Sequence, residues 1–356
     1  MLIHENTLLG PLTTFGIGGS ARWFVEATCE EEIVEAAAWA RHQGIALFVL
    51  GGGSNLLVAD AGFDGLVLRV GLRGVSSSPP AEPASEVRYE VAAGEDWDGF
   101  VERAVRDNCA GIECLAGIPG TVGGTPVQNV GAYGQEVSSA IELVRAFDLQ
   151  ERAFVEFAGS DCGFAYRRSR FNSVDRGRYI VTRVDYRLTS GGRPTLRYTD
   201  LQRAFQLKLA EGVQPTLVEV AAVVRQVRQS KGMLMVEGDP DCRSAGSFFK
   251  NPVVNEAQLR DVSTRSRTEP PRFPAGSGAE NAGLFKVPAA WLIEQAGFAK
   301  GYAEGGAGIS SRHTLALVNR GHATAADILN LAGQIVAAVE DRFGIRLEME
   351  PVMVGF

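Results

Sequence analysis

Two glycine-rich runs say most about this chain: Gly51-Gly-Gly-Ser-Asn55 and Ile118-Pro-Gly-Thr-Val-Gly-Gly-Thr-Pro-Val-Gln-Asn-Val-Gly-Ala-Tyr-Gly134. Stretches with so few side chains allow backbone N–H groups to approach a ligand closely and to form concavities that bind anions. The second run is too long to be a single turn. Together the two runs predict one large phosphorylated cofactor that is held from two sides.

The bulk composition is typical of a globular protein with more than one domain. A chain of 356 residues exceeds the usual size of one compact domain, so two or three domains are expected. The 35 basic and 42 acidic residues give a net charge of −7, and no basic tract stands out, which argues against a nucleic-acid binder. The sequence lacks a signal peptide pattern and a membrane-length apolar run, and its five cysteines show no paired spacing. A cytoplasmic protein with reduced thiols is therefore expected.

Hydrophobic periodicity predicts strands and helices that alternate at the start of the chain, followed by a strand-rich middle. The predicted strands cover residues 21–27, 45–50, 65–70, 141–148, 153–157, 179–188, 195–198 and 345–350. The predicted helices run from a Thr28/Glu31 capping box to 42, from 97 to before 111, from a Thr216/Glu219 box to about 229, over 288–295, and from Thr324/Asp327 to a stop at Gly344. Residues 262–283 are rich in serine, proline, glycine and charge, which favours a long loop.

Several common nucleotide-binding and catalytic motifs are absent from the sequence. No G-x-G-x-x-G stands between a strand and a helix, and no G-K-[ST] follows a glycine loop. No serine has glycine at both −2 and +2, and the four histidines lack metal-ligand spacing. The sequence therefore gives no support for a Rossmann site, a Walker-type ATPase, an α/β-hydrolase or a histidine-bound metal.

Four further blocks accompany the glycine runs, and their order along the chain is distinctive. They are Leu12-Thr-Thr-Phe-Gly-Ile-Gly18, Phe164-Ala-Tyr-Arg167, Ala245-Gly-Ser-Phe-Phe-Lys-Asn-Pro252 and Leu347-Glu-Met-Glu350. With the two runs, these blocks resemble the UDP-N-acetylenolpyruvoylglucosamine reductase (MurB) family over essentially the whole chain, in the branch with a tyrosine loop over the substrate. The chain departs from the usual family pattern at Ala165, where glycine is common, and at Lys286-Val-Pro-Ala-Ala-Trp-Leu-Ile293, where Lys-Leu-Ala-Ala-Gly-Trp-Leu-Ile is usual.

The resemblance implies an α+β fold in which two FAD-binding subdomains of the vanillyl-alcohol-oxidase type precede a C-terminal α+β substrate domain. The first subdomain is expected at 1–75, with the tail 345–356 returning to it, the second at 76–230, and the substrate domain at 231–344. Non-covalent FAD and no metal are expected. The expected FAD contacts are Gly51, Gly52, Gly53, Ser54, Asn55, Leu56, Ile118, Pro119, Gly120, Gly123, Gly124, Thr125, Gln128, Asn129, Gly131 and Tyr133.

The resemblance also implies a reaction of peptidoglycan precursor synthesis. NADPH reduces the flavin and leaves, and the enolpyruvyl ether of UDP-N-acetylglucosamine then takes its place and is reduced to UDP-N-acetylmuramate. Hydride arriving at C3 pushes negative charge into the carboxylate, so the reaction needs a cation aimed at that charge and a proton donor for C2. The family match assigns the first role to Arg167, the second to Ser247, and assistance in proton transfer to Glu350. These three residues are expected to converge around the isoalloxazine ring.

Each of these residues has an ordinary alternative when it is considered without the family. Arg167 lies in an arginine cluster and could form a surface ion pair, and Ser247 could satisfy backbone groups in a tight turn. Strand alternation alone does not distinguish Glu350 from Glu348. We assign Glu348 to a solvated face. His313 is either a nucleotide contact or a structural residue. The family match adds as substrate-binding residues Tyr166, Tyr198, Lys231 and Asn251.

Two competing hypotheses have other activities. One is an FAD-dependent alcohol oxidase or dehydrogenase of the same fold, and the other is a non-catalytic nucleotide-sugar sensor that has lost its flavin. The Gly246–Pro252 block argues against the first, and the intact Gly51–Asn55 run argues against the second. The expected partner is the nucleotide-sugar substrate, with no nucleic acid, no membrane and a monomeric state.

Overall fold

The computed structural model of the protein describes residues 1–78, 85–275 and 282–356. Its α-helices are α1 (Glu30–His42), α2 (Trp97–Arg106), α3 (Thr199–Ala204), α4 (Gln206–Ala210), α5 (Leu217–Ser230), α6 (Glu256–Ser266), α7 (Ala289–Gln295) and α8 (Ala325–Phe343). Its strands are β1 (His4–Leu8), β2 (Ser20–Ala27), β3 (Ala46–Leu50), β4 (Leu56–Val58), β5 (Phe63–Val70), β6 (Val75–Ser77), β7 (Glu86–Ala92), β8 (Cys109–Ala110), β9 (Gly131–Ala132), β10 (Gln135–Glu136), β11 (Ile141–Asp148), β12 (Ala153–Ala158), β13 (Tyr179–Ser190), β14 (Val253–Asn255), β15 (Phe273–Pro274), β16 (Leu284–Lys286), β17 (Ala303–Glu304), β18 (Ala307–Ile309), β19 (Leu317–Asn319) and β20 (Val352–Val354).

Two compact units share the chain, and neither is continuous in sequence. Unit 1 consists of residues 1–7, 21–53 and 64–230. Unit 2 consists of residues 8–20, 54–63 and 231–356. The chain thus leaves unit 1 after residue 7 and after residue 53, and returns to it at residues 21 and 64.

Unit 1 contains a two-stranded β9–β10 sheet and two larger sheets that differ in strand direction. The first larger sheet has the order β1-β2-β5-β3, and its β3 and β5 are parallel, with β4 and the first glycine run in the connection between them. The second has the order β12-β11-β13-β7-β6, with β8 also paired to β13, and these strands pair in antiparallel fashion. One hydrophobic core joins them; among its aromatic side chains Trp97, Phe100 and Tyr186 are almost completely buried, with ring centroids 5.0 to 5.9 Å apart.

Unit 2 is built around α8 and three small sheets. The sheet orders are β14-β16-β15 and β17-β18-β19, both antiparallel, and β20-β4, which is parallel. A reciprocal capping box between Thr324 and Asp327 begins α8, and Gly344 ends it in the left-handed conformation with φ of +67°. The predicted apolar stripe of this helix is buried: Ile328, Leu331, Ile335, Val339 and Phe343.

Most predicted helices and strands are present within one or two residues of their expected ends, with a difference at the first helix. The predicted capping partner of Thr28 was Glu31, but the Thr28 backbone N–H and hydroxyl both donate to Glu32, at 2.8 and 3.0 Å. The Thr216 and Glu219 box does form before α5, with Glu219 N donating to Thr216 Oγ1 at 3.2 Å. Helix α1 itself still runs to His42, as predicted.

The predicted strand at 195–198 is wrong. Its backbone groups bond to side chains instead of to a neighbouring strand: Thr195 N donates to the carboxylate of Glu113 at 2.8 Å, and Thr195 O accepts from Cys114 Sγ at 3.2 Å. Tyr198 then directly precedes α3.

The long loop predicted over 262–283 is wrong in part. Helix α6 continues to Ser266, because a capping box between Asn255 and Gln258 nucleates it and Leu259 and Val262 bury one face. Strand β15 occupies 273–274, and residues 276–281 of this predicted loop lie outside the described part of the chain.

The tail predicted as a strand at 345–350 is extended but only partly paired. Ile345 and Leu347 are buried and Arg346 and Glu348 exposed, as the alternation predicts, and one isolated antiparallel bridge joins Met349 to Phe249. The regular strand lies further on, in β20 at 352–354.

The two units are not the predicted subdomains, and the predicted domain boundaries stay a prediction. Residues 8–20, 54–63 and the tail 345–356, all predicted to lie with the first FAD-binding subdomain, are together in unit 2, where β4 pairs with β20 and Gly19 N donates to Ala59 O at 2.9 Å. Division of unit 1 into two FAD-binding subdomains stays a prediction.

Candidate active site

The two glycine runs meet in unit 1, backbone against backbone. A Cβ atom on Gly52 would lie 2.5 Å from the Cα of Gly120, and one on Gly51 would lie 2.9 Å from Thr121 Oγ1. Gly53 has φ of +66°, which L side chains rarely adopt. Glycine is therefore required here for close approach and for chain direction. The runs form the kind of side-chain-free cradle that a diphosphate-containing cofactor needs.

The adjacent glycines of the second run face different surroundings. A Cβ on Gly123 would lie 2.6 Å from the Cβ of Ala93, so Gly123 is needed for packing. A Cβ on Gly124 would meet no atom within 4 Å, so this position has open space beside it. The next residue, Thr125, is anchored by a 2.7 Å hydrogen bond between its hydroxyl and that of Tyr186. The run is thus fixed on one side and open on the other, and its residues Ile118, Pro119 and Gln128 are half-buried.

Backbone strain is concentrated in the predicted site residues of unit 1. Seven non-glycine residues in the described ranges have positive φ, and three of them are Asn129 (+46°), Tyr133 (+49°) and Arg167 (+55°). Such a conformation costs on the order of 1–2 kcal/mol for an L residue. Residues held this way are often functional, because the surrounding contacts must over-determine their position.

Arg167 is held by a tight turn and by the second glycine run. Two backbone hydrogen bonds of 2.9 and 3.1 Å close the turn between Ala165 and Arg168, and Asn129 Nδ2 donates to Ala165 O at 3.0 Å. The Arg167 guanidinium donates from Nη2 to Gly131 O at 2.8 Å. Ala165 has negative φ, so alanine replaces the usual family glycine without strain. The guanidinium is therefore oriented by the same backbone that forms the cradle.

The aromatic candidates of unit 1 lie around these elements. The ring centroid of Tyr166 is 5.3 Å from the Arg167 guanidinium carbon. The rings of Tyr133 and Tyr198 are perpendicular, with centroids 5.2 Å apart. Tyr198 is 40% exposed. Unit 1 thus brings a predicted cofactor residue and a predicted substrate residue into direct contact.

Backbone pairing in unit 2 joins the two segments that carry Ser247 and Glu350. Phe249 and Met349 form the antiparallel bridge, and Glu350 N donates to Phe248 O at 2.9 Å. Phe248 and Phe249 are almost completely buried, whereas Ser247 and Glu350 are half-buried. The apolar side chains anchor the two segments and leave the two polar ones accessible.

Glu348 and Glu350, which strand alternation could not distinguish, have different surroundings in the structure. The Glu348 side chain is 75% exposed and pairs with Lys250 Nζ at 3.3 Å, the ordinary surface role. Glu350 lies beside Asn55, whose Nδ2 is 3.4 Å from the Glu350 carbonyl oxygen. Just beyond, Val352 N donates to Asn55 O at 2.9 Å. The end of the first glycine run is thus adjacent to Glu350 in unit 2.

Ser247 has no hydrogen-bond partner for its hydroxyl among residues 1–78, 85–275 and 282–356. A serine in a tight turn commonly bonds to nearby backbone. In this segment it is Ser244 that does so, accepting from Gly246 N at 3.2 Å. The ordinary structural explanation for Ser247 thus finds no support in the described contacts.

The block beginning at Leu12 joins the start of the chain to these elements within unit 2. Thr14 Oγ1 lies 2.6 Å from Ser244 O and 3.4 Å from Ser54 O. The Phe15 ring packs edge-on against Phe248 at 6.2 Å. Leu56, the last predicted cofactor contact of the first run, pairs with Val352 in the parallel β4–β20 ladder.

Lys231 lies near a buried histidine in unit 2. Burial, with Lys231 and Lys300 nearby, lowers the pKa of His313 to about 4, so the imidazole is neutral at pH 7. The preceding residue, Arg312, donates from Nε to Asp241 at 3.0 Å and also pairs with Asp239.

Gly232 explains how Lys231 is placed beside this polar group. Its φ is +64°, and a Cβ there would lie 2.9 Å from the Cβ of Asp241. Ser311 also donates to Asp241, at 2.6 Å from Oγ. Sequence reasoning missed Asp239, Asp241 and Arg312, because charges distant in sequence carry no local signal of pairing.

Asn251 has a structural contact in addition to its predicted one. Its Oδ1 accepts from Ala289 N at 2.9 Å, which satisfies an N–H at the start of α7. Pro288 is the N-cap residue of α7, so the departure from the family pattern at this point is accommodated. The Asn251 Nδ2 group and the second lone pair of Oδ1 are suited to a nucleotide contact.

Comparison with protein families identifies both parts of the chain. Residues 239–354 match the C-terminal domain of UDP-N-acetylenolpyruvoylglucosamine reductase, and residues 21–149 match an FAD binding domain. The UDP-N-acetylenolpyruvoylglucosamine reductase of Streptomyces coelicolor is 44% identical over 355 residues, which cover 98% of this chain and 89% of that protein. The chain belongs to the UDP-N-acetylenolpyruvoylglucosamine reductase family. The reductase of Thermobifida fusca is 43% identical and covers 99% of this chain and 98% of its own.

A solved member of the family shares the fold. The crystal structure of UDP-N-acetylenolpyruvylglucosamine reductase (MurB) from Thermus caldophilus superposes with a TM-score of 0.65 at 27% identity, covering 99% of this chain and all of that one. The family resemblance and the α+β fold class with an FAD-binding domain, both expected from the sequence, are thereby confirmed. The roles of the individual site residues, and membership in the tyrosine-loop branch, stay predictions.

No other type of centre is visible in the described ranges. Residues 1–78, 85–275 and 282–356 contain no group of three or more His, Cys, Asp or Glu side chains placed to hold a metal ion. All five cysteines are free thiols. None of the helices in this part of the chain has the length and apolar character needed to cross a membrane.

Proposed function

We propose that this protein is an NADPH-dependent flavoenzyme that reduces the enolpyruvyl ether of UDP-N-acetylglucosamine to UDP-N-acetylmuramate. Membership in the reductase family supports this assignment, as does the glycine cradle formed by Gly52 and Gly120. The observation that carries it is the backbone pairing of the Phe248–Lys250 and Glu348–Glu350 segments in unit 2, because Ser247 directly precedes the first segment and Glu350 ends the second.

FAD, when bound in the cradle, supplies the hydride that it has accepted from NADPH. The residues that would hold it are those of the two glycine runs, from Gly51 to Leu56 and from Ile118 to Tyr133. Their open backbone fits a diphosphate, because N–H groups without side chains can point at phosphate oxygens. The residues of this chain then have to bind the substrate, hold its carboxylate and deliver one proton.

Arg167 is assigned to the carboxylate of the enolpyruvyl group. Reduction at C3 increases the negative charge on this carboxylate, and a guanidinium presents two parallel N–H donors to it. The bond to Gly131 O uses one of the five N–H groups of the guanidinium and orients its plane. A pre-oriented cation stabilises developing charge without the cost of reorganisation.

Ser247 is assigned as the donor of the proton to C2, with Glu350 assisting. A serine hydroxyl is a weak acid, so a neighbouring group must relay a proton to it or stabilise the alkoxide. Glu350 is on the adjacent segment and half-buried, which suits it to that task better than the exposed Glu348. Tyr166, Tyr198, Lys231 and Asn251 are assigned to the nucleotide sugar.

A spectroscopic experiment tests this function. The purified protein should be yellow, NADPH should bleach the flavin without oxygen, and the enolpyruvyl nucleotide should restore the colour and yield UDP-N-acetylmuramate. A flavin that the nucleotide cannot reoxidise would contradict the proposal. Rapid reoxidation by oxygen with turnover of an alcohol would instead indicate an oxidase, and a colourless protein that binds the nucleotide would indicate a sensor.

The cellular location, the partners and the oligomeric state are part of the same proposal. We place the enzyme in the cytoplasm, where its nucleotide-sugar substrate and NADPH are available, and assign it no nucleic-acid or membrane partner. A monomer is the expected state, which light scattering of the pure protein tests directly.

A further inference from the structure

Glu113 is a fully buried carboxylate in unit 1 whose contacts are all to N–H donors. It has no exposed surface. Its Oε1 accepts from Gln135 Nε2 and from Thr195 N, each at 2.8 Å, and its Oε2 accepts from Gly111 N at 2.8 Å. Burying a carboxylate is costly unless such donors compensate for the lost water. The three bonds make Glu113 the centre of a network.

Further hydrogen bonds close this network on itself. Gln135 Oε1 accepts from Cys114 N at 2.8 Å, and Gln135 Nε2 also donates to Thr195 Oγ1 at 3.1 Å. Cys114 Sγ donates to Thr195 O at 3.2 Å. Three chain segments distant in sequence are thereby joined: the one at 111–115, the β9–β10 hairpin, and the one entering α3.

Two of these three segments carry residues assigned to ligands. The hairpin contains Gly131 and Tyr133, which belong to the predicted cofactor site. The segment that begins at Thr195 leads within three residues to Tyr198. The two meet directly, because the Tyr133 and Tyr198 rings are 5.2 Å apart and a Cβ on Gly134 would lie 3.0 Å from the Cβ of Arg197.

We propose that Glu113 is a positioning residue that fixes Tyr198 against the cofactor hairpin and thereby sets the affinity for the nucleotide substrate. This inference rests on the proposed function. Glu113 touches neither Tyr198 nor Tyr133 in the described contacts, so it acts through Thr195 and Gln135. Both carboxylate oxygens of Glu113 accept from N–H donors, so the NH2 group of an amide at either position would face another donor.

The test is Glu113→Gln, which keeps the shape and removes one acceptor. We expect the KM for the enolpyruvyl nucleotide to rise about tenfold, the scale of one lost hydrogen bond to a charged group, while kcat changes by less than about threefold. The rate of flavin reduction by NADPH should be unchanged. An unchanged KM would overturn the inference.

A matched control separates positioning from general destabilisation. Asp148 is also a buried carboxylate of unit 1, and it accepts from Gln150 N at 2.8 Å and from Arg178. Asp148→Asn should lower the melting temperature about as much as Glu113→Gln but leave the KM for the nucleotide as in the unaltered protein. A KM that rises equally in both variants would show that Glu113 has a purely structural role.

A double-mutant cycle with Tyr198→Ala identifies the route of the effect. If Glu113 acts through Tyr198, Glu113→Gln should raise the KM no further in the Tyr198→Ala background. Full additivity would overturn the proposal. Should Glu113→Gln fail to fold, Thr195→Val removes only the hydroxyl that accepts from Gln135, and the same cycle with about a threefold effect on KM decides the matter.

The unaltered protein distinguishes this failure from failure of the proposed function. If it does not reduce the enolpyruvyl nucleotide at all, the function is wrong. If it does so and only the Glu113 variants show no shift in KM, the function stands and the positioning role falls.

Discussion

The region around Arg167 in unit 1 and the region around Ser247 and Glu350 in unit 2 are held in place by different means. Arg167 occupies a left-handed backbone position and is oriented by a side-chain bond to Gly131 O. Ser247 and Glu350 lie on segments that pair through backbone hydrogen bonds and are anchored by the buried rings of Phe248 and Phe249. A strained backbone and a side-chain hydrogen bond hold Arg167 in place, whereas backbone hydrogen bonds hold the segments that carry Ser247 and Glu350. Substitution of Arg167 should therefore perturb local structure, whereas substitution of Ser247 or Glu350 should not.

The largest effect is expected from Ser247→Ala in unit 2. Product formation should fall by about a hundredfold or more, the contribution of a general acid, while flavin reduction by NADPH persists. Stopped-flow measurement of the two half-reactions checks this result. Because the pairing of this segment uses backbone atoms, the melting temperature should be unchanged. Undiminished turnover would remove Ser247 from the mechanism.

In unit 1, we expect Arg167→Lys to lower kcat by about a hundredfold. This is the scale of losing one hydrogen-bond donor to the charge that develops in the transition state. Lysine keeps the charge but lacks the planar pair of donors. Steady-state kinetics measures the effect. Arg168→Lys, at the exposed neighbouring position, is the control and should retain normal turnover. Equal losses in the two variants would indicate a general effect of charge in this turn.

Glu350→Gln and Glu348→Gln form a matched pair in unit 2. Glu350→Gln should lower kcat by about tenfold or more, since an amide cannot assist proton transfer. Glu348→Gln removes only an exposed ion pair with Lys250, which contributes at most about 1 kcal/mol to stability. Steady-state measurement of kcat for both variants tests this difference. A larger loss for Glu348→Gln would reverse the assignment.

A smaller effect, on stability alone, is expected at His313 of unit 2. Burial beside Lys231 and Lys300 lowers its pKa in the folded protein to about 4, so the unfolded chain binds the proton first as pH falls. The stabilisation is complete above about pH 6.5 and is lost progressively towards pH 4, by at most about 3 kcal/mol.

Urea unfolding of the protein and of His313→Gln at several pH values measures this contribution. The variant should lose less stability than the unaltered protein between pH 6.5 and pH 4. Identical pH profiles would show that His313 is as accessible to protons in the folded protein as in the unfolded one.

Local features of this protein were readable from the sequence, and long-range side-chain contacts were not. The box before α8 and the glycine stop after it follow from residues within four positions of each other, so Thr324, Asp327 and Gly344 predict them. The contact between the glycine runs was predictable because only glycine at Gly52 and Gly120 allows it. The family match gave the candidate residues, and the 75% exposure of the Glu348 side chain, with its ion pair to Lys250, gave a geometric reason to prefer Glu350.

The failures share a cause in the network around Glu113. Residues 195–198 have the composition of a strand, but both backbone groups of Thr195 bond to side chains more than fifty positions away, those of Glu113 and Cys114. Periodicity reports which face of a segment is buried and not which group satisfies its N–H and C=O. Glu113, between Ile112 and Cys114, gave no sign that it would be enclosed completely.

The parallel ladder between β4 and β20 joins residues 56–58 to residues 352–354. During synthesis on the ribosome, the early segment must wait for almost the whole polypeptide before its partner emerges. Contacts of such high sequence separation form slowly and leave hydrophobic surface exposed in the meantime. Nascent chains of this protein are thus expected to depend on chaperones until residues 352–354 have emerged and paired, and activity should appear only after this pairing.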